Sequence, residues 1–194
     1  MIHFLEITDF LDAPTREQLR AALHEAGSAA ATVTGRQSGG AVETRVRKSA
    51  RLELPAASIE LVQRLVMERK HEFEEHFGVT LTGCEAPQFL RYETGDYFVA
   101  HQDGNTPVLY DDTRFRRVSV VIFMSTPAAE PAPDTYGGGA LVFHGRGPDH
   151  EQRLGVNPPP GTLVAFRSET THEVTPVTHG ERYTIACFLR DDTR

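Results

Sequence analysis

Residues 97–105 read YFVAHQDGN, a stretch of strand character from Tyr97 to Ala100 that ends by offering His101 and Asp103, two positions apart, just before Gly104. Side chains of a strand alternate between faces, so positions i and i+2 point the same way and an imidazole and a carboxylate can meet at one metal ion. His-x-Asp also arises by chance, and Asp and Gly suit the turn after any strand. A site needs more ligands, and GTLVAFRSETTHEVTPVTHGERYTIACFLR supplies His172 at the head of a late strand. Two imidazoles and one carboxylate on one face leave three coordination positions open and suit a non-haem ferrous centre.

Arg182 follows His172 in a strand that otherwise reads apolar, RYTIACFLR. Burying a guanidinium is costly unless an anion pairs with it, and its planar fork takes a carboxylate through two hydrogen bonds. A dicarboxylate ligand would be that partner. Register matters here: a simple four-residue hairpin loop over Thr178 to Glu181 would put His172 and Arg182 on opposite faces. A five-residue loop or a bulge near Pro176 is therefore expected.

These side chains need a frame. From residue 86 onward, PQFLRYE, YFVAHQD, RRVSVVIFMS, GALVFHG, QRLGV, GTLVAFRS, HEVTPV and ERYTIACFLR read as strands with no helical pattern between them. That predicts a mainly β (α+β) fold with an antiparallel sandwich or jelly roll rather than β-α-β units. The segments 104–115 and 126–138 are too polar or too rich in proline for strands and read as long loops at one mouth of the barrel. The first half differs. APTREQLRAALHEAG has Pro14 near a helix start, Leu19, Ala22 and Leu23 at helical spacing and Gly27 as a stop. SIELVQRLVMERKHEFEEHFG repeats the pattern with Leu61, Leu65, Val66 and Phe73 before Gly78. The stretch between, glycine-rich and then basic with Arg45, Arg47, Lys48 and Arg51, reads as an exposed loop or edge hairpin.

With 194 residues the chain is expected to form one domain, 1–194, with helical and loop support over 1–85 and a jelly-roll core over 86–190. Hydrophobic residues at 39% and charged residues at 24% exclude wholesale disorder and fibrous designs. A formal charge of −7, from 27 acidic against 20 basic side chains, provides no broad basic footprint, so no nucleic-acid partner is expected. There is no basic leader and no long apolar run, so neither membrane insertion nor export is expected. Cys84 and Cys187 are too few for a disulfide framework, and a cytoplasmic location with Cys187 as a buried thiol fits them.

The runs RYETGDYFVAHQDG, RRVSVVIFMS, GGGALVF, GTLVAF and THEVTPVTHGERYTIACFLR, in this order and spacing over about residues 86–190, resemble the Fe(II)- and 2-oxoglutarate-dependent dioxygenases, specifically their prolyl 4-hydroxylase-like branch. The resemblance implies a double-stranded β-helix with buttressing N-terminal helices, and His101, Asp103 and His172 as iron ligands. It further implies that Arg182 holds the distal carboxylate of 2-oxoglutarate and that Tyr92 donates a hydrogen bond to this cosubstrate. Fe(II), 2-oxoglutarate and O2 are the implied cofactors, with ascorbate as a reductant. The implied reaction hydroxylates an unactivated C–H bond of a small-molecule or peptidyl substrate and releases succinate and CO2; the carboxylate of Asp103 favours hydroxylation over halogenation, which related enzymes perform with a small residue there. Two departures bear on substrate identity: Ala140 and Leu141 follow Gly138 and Gly139 where the family often has an acidic residue, and Arg167 stands where it usually has proline.

Other candidates have plainer readings. His24, His71 and His76 lie on helical stretches, and the histidines of HEFEEH stand five apart rather than the four of a zinc-protease H-E-x-x-H. His144 ends a strand that lines or abuts the cavity, and His179 falls in the expected turn. YGGGALVF lacks a following helix or a Walker lysine, so its glycines point to close strand packing or a bulge rather than to phosphate binding. The competing function is a non-catalytic, cupin-like metal or ligand-binding module, and Arg182 separates the two, because such a module has no need of a buried cation.

Overall fold

The computed structural model describes residues 2–30, 33–35, 38–41, 46–104, 111–145 and 151–193. The first part of the chain carries β1 (Phe4–Ile7), α1 (Ala13–Glu25), β2 (Ser28–Ala30), β3 (Val33–Gly35), β4 (Ser38–Ala41), β5 (Arg47–Lys48), β6 (Ala50–Leu52), α2 (Ala56–Glu68), α3 (Lys70–Phe77) and β7 (Gly83–Cys84). The strands of the barrel follow: β8 (Gln88–Tyr92), β9 (Tyr97–His101), β10 (Arg116–Phe123), β11 (Thr126–Pro127), β12 (Thr135–Gly138), β13 (Leu141–His144), β14 (Arg153–Val156), β15 (Leu163–Arg167), β16 (His172–Val174), β17 (Val177–Gly180) and β18 (Arg182–Arg190).

Two sheets face each other. The larger runs β1-β15-β10-β18-β8-β6-β2, with β7 also on β18, and the smaller runs β14-β13-β16-β9-β5. The pairings within both are antiparallel, as expected where no helix links consecutive barrel strands. This is a double-stranded β-helix.

The last strand shows how period-2 alternation builds both the core and the site. Tyr183, Ile185, Cys187 and Leu189 of β18 face the helices and join the main core, while Arg182, Thr184, Ala186 and Phe188 face the space between the sheets. On the helical side the partners come as i, i+4 pairs: Leu19 and Leu23 of α1, Val62 and Val66 of α2, Phe73 and Phe77 of α3, all essentially inaccessible. Each such side chain contributes about 1.5–3 kcal/mol by leaving water, so the three helices are fastened to the back of the sheet that carries Arg182.

Local chemistry fixes the helix ends. Asp12 caps α1 by accepting from the Thr15 amide at 2.9 Å. Gly78 ends α3 in the left-handed conformation, φ 61°, which suits a residue without Cβ. The expected single helix over 58–78 is two, because the backbone turns at Arg69, and its buried stripe sits at Val62 and Val66 with Leu61 and Leu65 only partly covered.

Several expectations need correction. The stretch 126–138 is not all loop: β11 and β12 lie within it, and β12 pairs with β17 in a third, three-stranded sheet. Proline and polarity obscured it because the pairing partner is forty residues away in the chain. The first half supplies strands as well as helices, since β1 pairs with β15 and β6 with β8. The basic stretch is only in part the exposed loop or edge hairpin expected: Lys48 and Arg51 are exposed and β5 is the edge of the smaller sheet, but Arg47 and Ser49 are buried beside β9. Arg45 and residues 105–110 lie outside the described residues. Among the described residues no helix is long and apolar enough to cross a membrane.

His172 and Arg182 share no hairpin. The chain leaves β16 in the smaller sheet, passes through β17 in the third sheet and enters β18 in the larger one, so the two residues face each other across the barrel. The irregularity expected near Pro176 falls at Thr178, where Gly137 and Gly138 pair with His179 and Val177. His179 consequently lies in a strand rather than in a turn.

Candidate metal centre and cavity

His101 ends β9 directly opposite His172 at the start of β16. Asp103 sits just past the strand end, its amide donating to the Ser168 carbonyl at 2.9 Å. The carboxylate lies between the two imidazoles: His101 Nε2 is 3.4 Å from Oδ1 and His172 Nε2 is 3.5 Å from Oδ2. One ligand atom from each of the three residues falls within 4.8 Å of the other two, a grouping able to hold one metal ion.

The tautomers suit that use. His101 Nδ1 is 2.8 Å from the Val99 carbonyl and His172 Nδ1 is 2.9 Å from the Thr170 carbonyl. A carbonyl only accepts, so each Nδ1 carries the proton and each Nε2 turns its lone pair toward Asp103. Charges agree with this. Burial would raise the Asp103 carboxyl, but the adjacent His172 and His101 imidazoles and a hydrogen bond from Ser119 outweigh it and hold the group well below the usual carboxylate range. Burial, helped by the nearby His101, lowers the His172 imidazole to about 4 against the opposing pull of Asp103. An anion beside an imidazole kept neutral, as His172 is, suits the binding of a divalent metal.

A cavity of about 190 Å³ opens from these three residues toward the larger sheet, and Arg182, Tyr92 and Thr184 line its far side. Arg182 is 1% exposed. Its Cζ lies 5.2 Å from the ring centroids of both Tyr92 and Phe123, and Nη1 donates to Thr184 Oγ1 at 3.4 Å. Its Nε and Nη2 have no hydrogen-bond partner among the described residues. Buried donors of a guanidinium are normally satisfied, so the two open N–H groups on the cavity wall call for an anion, and a carboxylate fits their fork.

Four further residues hold this arrangement in place, and only Gly139 among them stood out in the sequence. Ser119 of β10 reaches the Asp103 carboxylate and lies 3.0 Å from Ser168 Oγ. Arg116 donates from Nη1 to the Asp103 carbonyl at 3.0 Å while Nε and Nη2 grip Glu85 at 2.8 and 2.6 Å. Tyr136 is fully buried, donates to Asn157 Oδ1, and lies beside the Arg182 guanidinium; burial raises its phenol and Arg182 opposes that rise. Gly139 makes the fit possible, since a Cβ there would meet Arg182 Cδ at 2.8 Å and Tyr136 Cε2 at 3.2 Å. The run of glycines was the one visible signal for this corner.

The other described histidines stay outside. His144 faces Glu173, 3.5 Å away, on the other side of the smaller sheet. His24 and His71 are exposed. His76 is not a simple surface residue, because its ring stacks on His3 at 4.4 Å and its Nε2 is covered. Arg167, in place of the family's usual proline, donates to the Phe77 carbonyl at the end of α3 and so ties that helix to β15.

A family model described as the 2OG-Fe(II) oxygenase superfamily matches residues 87–190. A PKHD-type hydroxylase of Nitrosomonas eutropha is 31% identical over 179 residues, 90% of this chain and 73% of the relative. A PKHD-type hydroxylase of Burkholderia ambifaria is 38% identical over 107 residues, but these are 53% of this chain and only 40% of that relative. Among solved structures, a Pseudomonas putida prolyl-4-hydroxylase aligns with a TM-score of 0.70 at 20% identity, over 98% of this chain and 93% of that one. A prolyl hydroxylase from Trichoplax adhaerens, solved with a hypoxia inducible factor peptide fragment, aligns with a TM-score of 0.71 at 20% identity, over 97% of this chain and 84% of the other. At such identities the structural likeness establishes the fold.

Proposed function

Because this chain belongs to the 2OG-Fe(II) oxygenase superfamily, whose chemistry runs on Fe(II), 2-oxoglutarate and O2, we propose that it hydroxylates an unactivated C–H bond of an amino-acid residue, a free amino acid or a small metabolite. One oxygen atom of O2 enters the substrate as hydroxyl and the other enters succinate, while the 2-oxoglutarate C1 carboxylate leaves as CO2. The observation that carries this reading is the pairing, across one cavity, of the His101–Asp103–His172 cluster with a buried Arg182 whose two open N–H groups require an anion.

In this reading His101, Asp103 and His172 hold the ferrous ion, which supplies activation of O2. Arg182 anchors the distal carboxylate of 2-oxoglutarate, and the Tyr92 hydroxyl donates to the same molecule. Thr184 and the apolar walls at Leu90, Leu141 and Val174 keep water from the reacting atoms. Ser119 fixes the rotamer of Asp103. Ser119→Ala should therefore weaken metal affinity by roughly 10–100-fold, read by titrating the purified protein with ferrous or nickel ion while circular dichroism stays unchanged; an affinity equal to wild type would remove that role.

The test of the whole reading is succinate formation from 2-oxoglutarate that needs ferrous iron and O2, together with iron-dependent binding of 2-oxoglutarate by calorimetry. Protein that folds and loads metal yet neither binds nor consumes 2-oxoglutarate would leave a cupin-like binding module as the better account.

A further inference from the structure

Strand register lays out the cavity face of the larger sheet in rows. Residues of β8, β18, β10 and β15 that pair side by side share a row, and successive rows on one face stand two residues, about 6.6 Å, apart along a strand. One row carries Leu90, Thr184 and Phe123, the next Gln88, Ala186 and Val121, and the third Phe188, Ser119 and Phe166. The guanidinium of Arg182 lies over the first of these, since Nη1 donates to Thr184 Oγ1 and Cζ is 5.2 Å from the Phe123 ring centroid. The metal cluster lies over the third: Ser119 reaches the Asp103 carboxylate, and the Phe166 ring meets the His172 ring edge-on at 4.6 Å between centroids. A ligand that runs from Arg182 to the cluster therefore crosses the middle row.

That row has one side chain able to form a hydrogen bond. Ala186 and Val121 are apolar, and the small side chain of Ala186 leaves room above it. Gln88 pairs directly with Ala186, lines the cavity and is partly buried there. Its carboxamide makes no hydrogen bond to another described residue. Gln102, a second carboxamide on the wall, is by contrast held by the Glu169 carbonyl and Thr171 Oγ1 at 2.8 and 3.2 Å. An amide offers two N–H donors and a carbonyl acceptor, and with Leu90 and Val121 beside it the partner that Gln88 lacks is a group entering the cavity.

The two anchors decide which group that is. A five-carbon diacid whose distal carboxylate is held by Arg182 brings its keto-acid end, the end that meets the metal, over the middle row. That end carries a carboxylate, and an N–H donor to an ionised acceptor makes a stronger hydrogen bond than one to a neutral acceptor.

We propose that Gln88 is a further cosubstrate-binding residue, whose side-chain N–H group donates to the 1-carboxylate of 2-oxoglutarate while Arg182 holds the other end. This rests on the hydroxylase reading and deepens it, because the carboxylate that leaves as CO2 gains a protein partner besides the metal.

The experiment compares variants and two ligands on nickel-loaded protein, without turnover. 4-Oxopentanoate has the ketone and the distal carboxylate of 2-oxoglutarate but a methyl group in place of the 1-carboxylate. In calorimetry Gln88→Met should bind 2-oxoglutarate about 10-fold or more weaker than wild type, with its affinity for 4-oxopentanoate within about twofold. Gln88→Glu has the same shape with a like charge facing the 1-carboxylate, so it should lose more on 2-oxoglutarate, and it carries the test if circular dichroism shows Gln88→Met unfolded. Iron-loaded protein kept free of air supplies a second reading. The charge-transfer absorption of its complex with 2-oxoglutarate should move in the variant, and this decides the matter where 4-oxopentanoate binds too weakly to titrate. Affinity for 2-oxoglutarate equal to wild type, as a residue that reads only the substrate would give, overturns the proposal. An equal loss on both ligands, or an absorption band that stays in place, overturns it too. Wild-type protein that loads nickel yet binds no 2-oxoglutarate would instead sink the hydroxylase reading, and the proposal with it.

Discussion

Asp103→Ala should abolish iron-dependent succinate formation, with a loss of well over about 100-fold, and His172→Ala should do the same. Groups that only orient a metal ligand cost roughly 10–100-fold when removed, so removal of a ligand itself must exceed that range. Asp103 is also the only carboxylate in the described lining of a cavity that holds three arginines, and its loss leaves a divalent cation facing net positive charge. His172→Ala keeps the anion but removes the lone pair aimed at it from 3.5 Å. The measurement is succinate by mass spectrometry after anaerobic iron loading, with iron retained per protein determined on the same sample. His144→Ala is the matched control: its imidazole faces Glu173 outside the cavity, and turnover should stay within about twofold of wild type. Turnover in Asp103→Ala within tenfold of wild type would place the metal elsewhere.

The parts of this site legible in the sequence were those set by local periodicity. His101 and Asp103 share a direction because they stand two positions apart along one extended stretch, and β18 could be divided between core and cavity from its alternation alone. What was hidden depends on pairings between distant strands. Ser119 and Arg116 read as ordinary residues of an apolar strand, and only the approach of the turn after β9 to the start of β10 brings them to Asp103. Tyr136 stands in a proline-rich stretch read as loop, and it reaches Arg182 because β12 adds to a strand, β17, that the chain forms later. Arg47 belongs to a run of basic residues whose usual fate is a solvated surface; its burial follows from the register Arg47 with Phe98, which no local pattern specifies. The relation of His172 to Arg182 failed to follow from register for the same reason, since a hairpin was assumed where the chain changes sheets twice.

Arg182→Met should act in opposite directions on binding and on stability. Truncating one partner of a buried, hydrogen-bonded charge pair costs about 2–5 kcal/mol, so affinity for 2-oxoglutarate should fall about 30- to 3,000-fold, with metal affinity retained because no Arg182 atom bonds the cluster. Without 2-oxoglutarate the balance reverses. The wild-type guanidinium is then 1% exposed with two N–H groups lacking partners, held by ring faces, the neighbouring Tyr136 phenol and one long contact to Thr184. Replacing such a buried ion by an apolar group of similar volume is often neutral or stabilising. The ligand-free variant should therefore unfold at the same temperature as wild type or higher, whereas saturating 2-oxoglutarate with nickel should raise the unfolding temperature of wild type and leave the variant unmoved. Parallel thermal melts of the two proteins with and without 2-oxoglutarate decide it. A structural role for Arg182, in which the cation holds the barrel together, predicts a lower melting temperature in the variant under both conditions; only an anchor for an absent anion gives curves whose order inverts when the diacid is added.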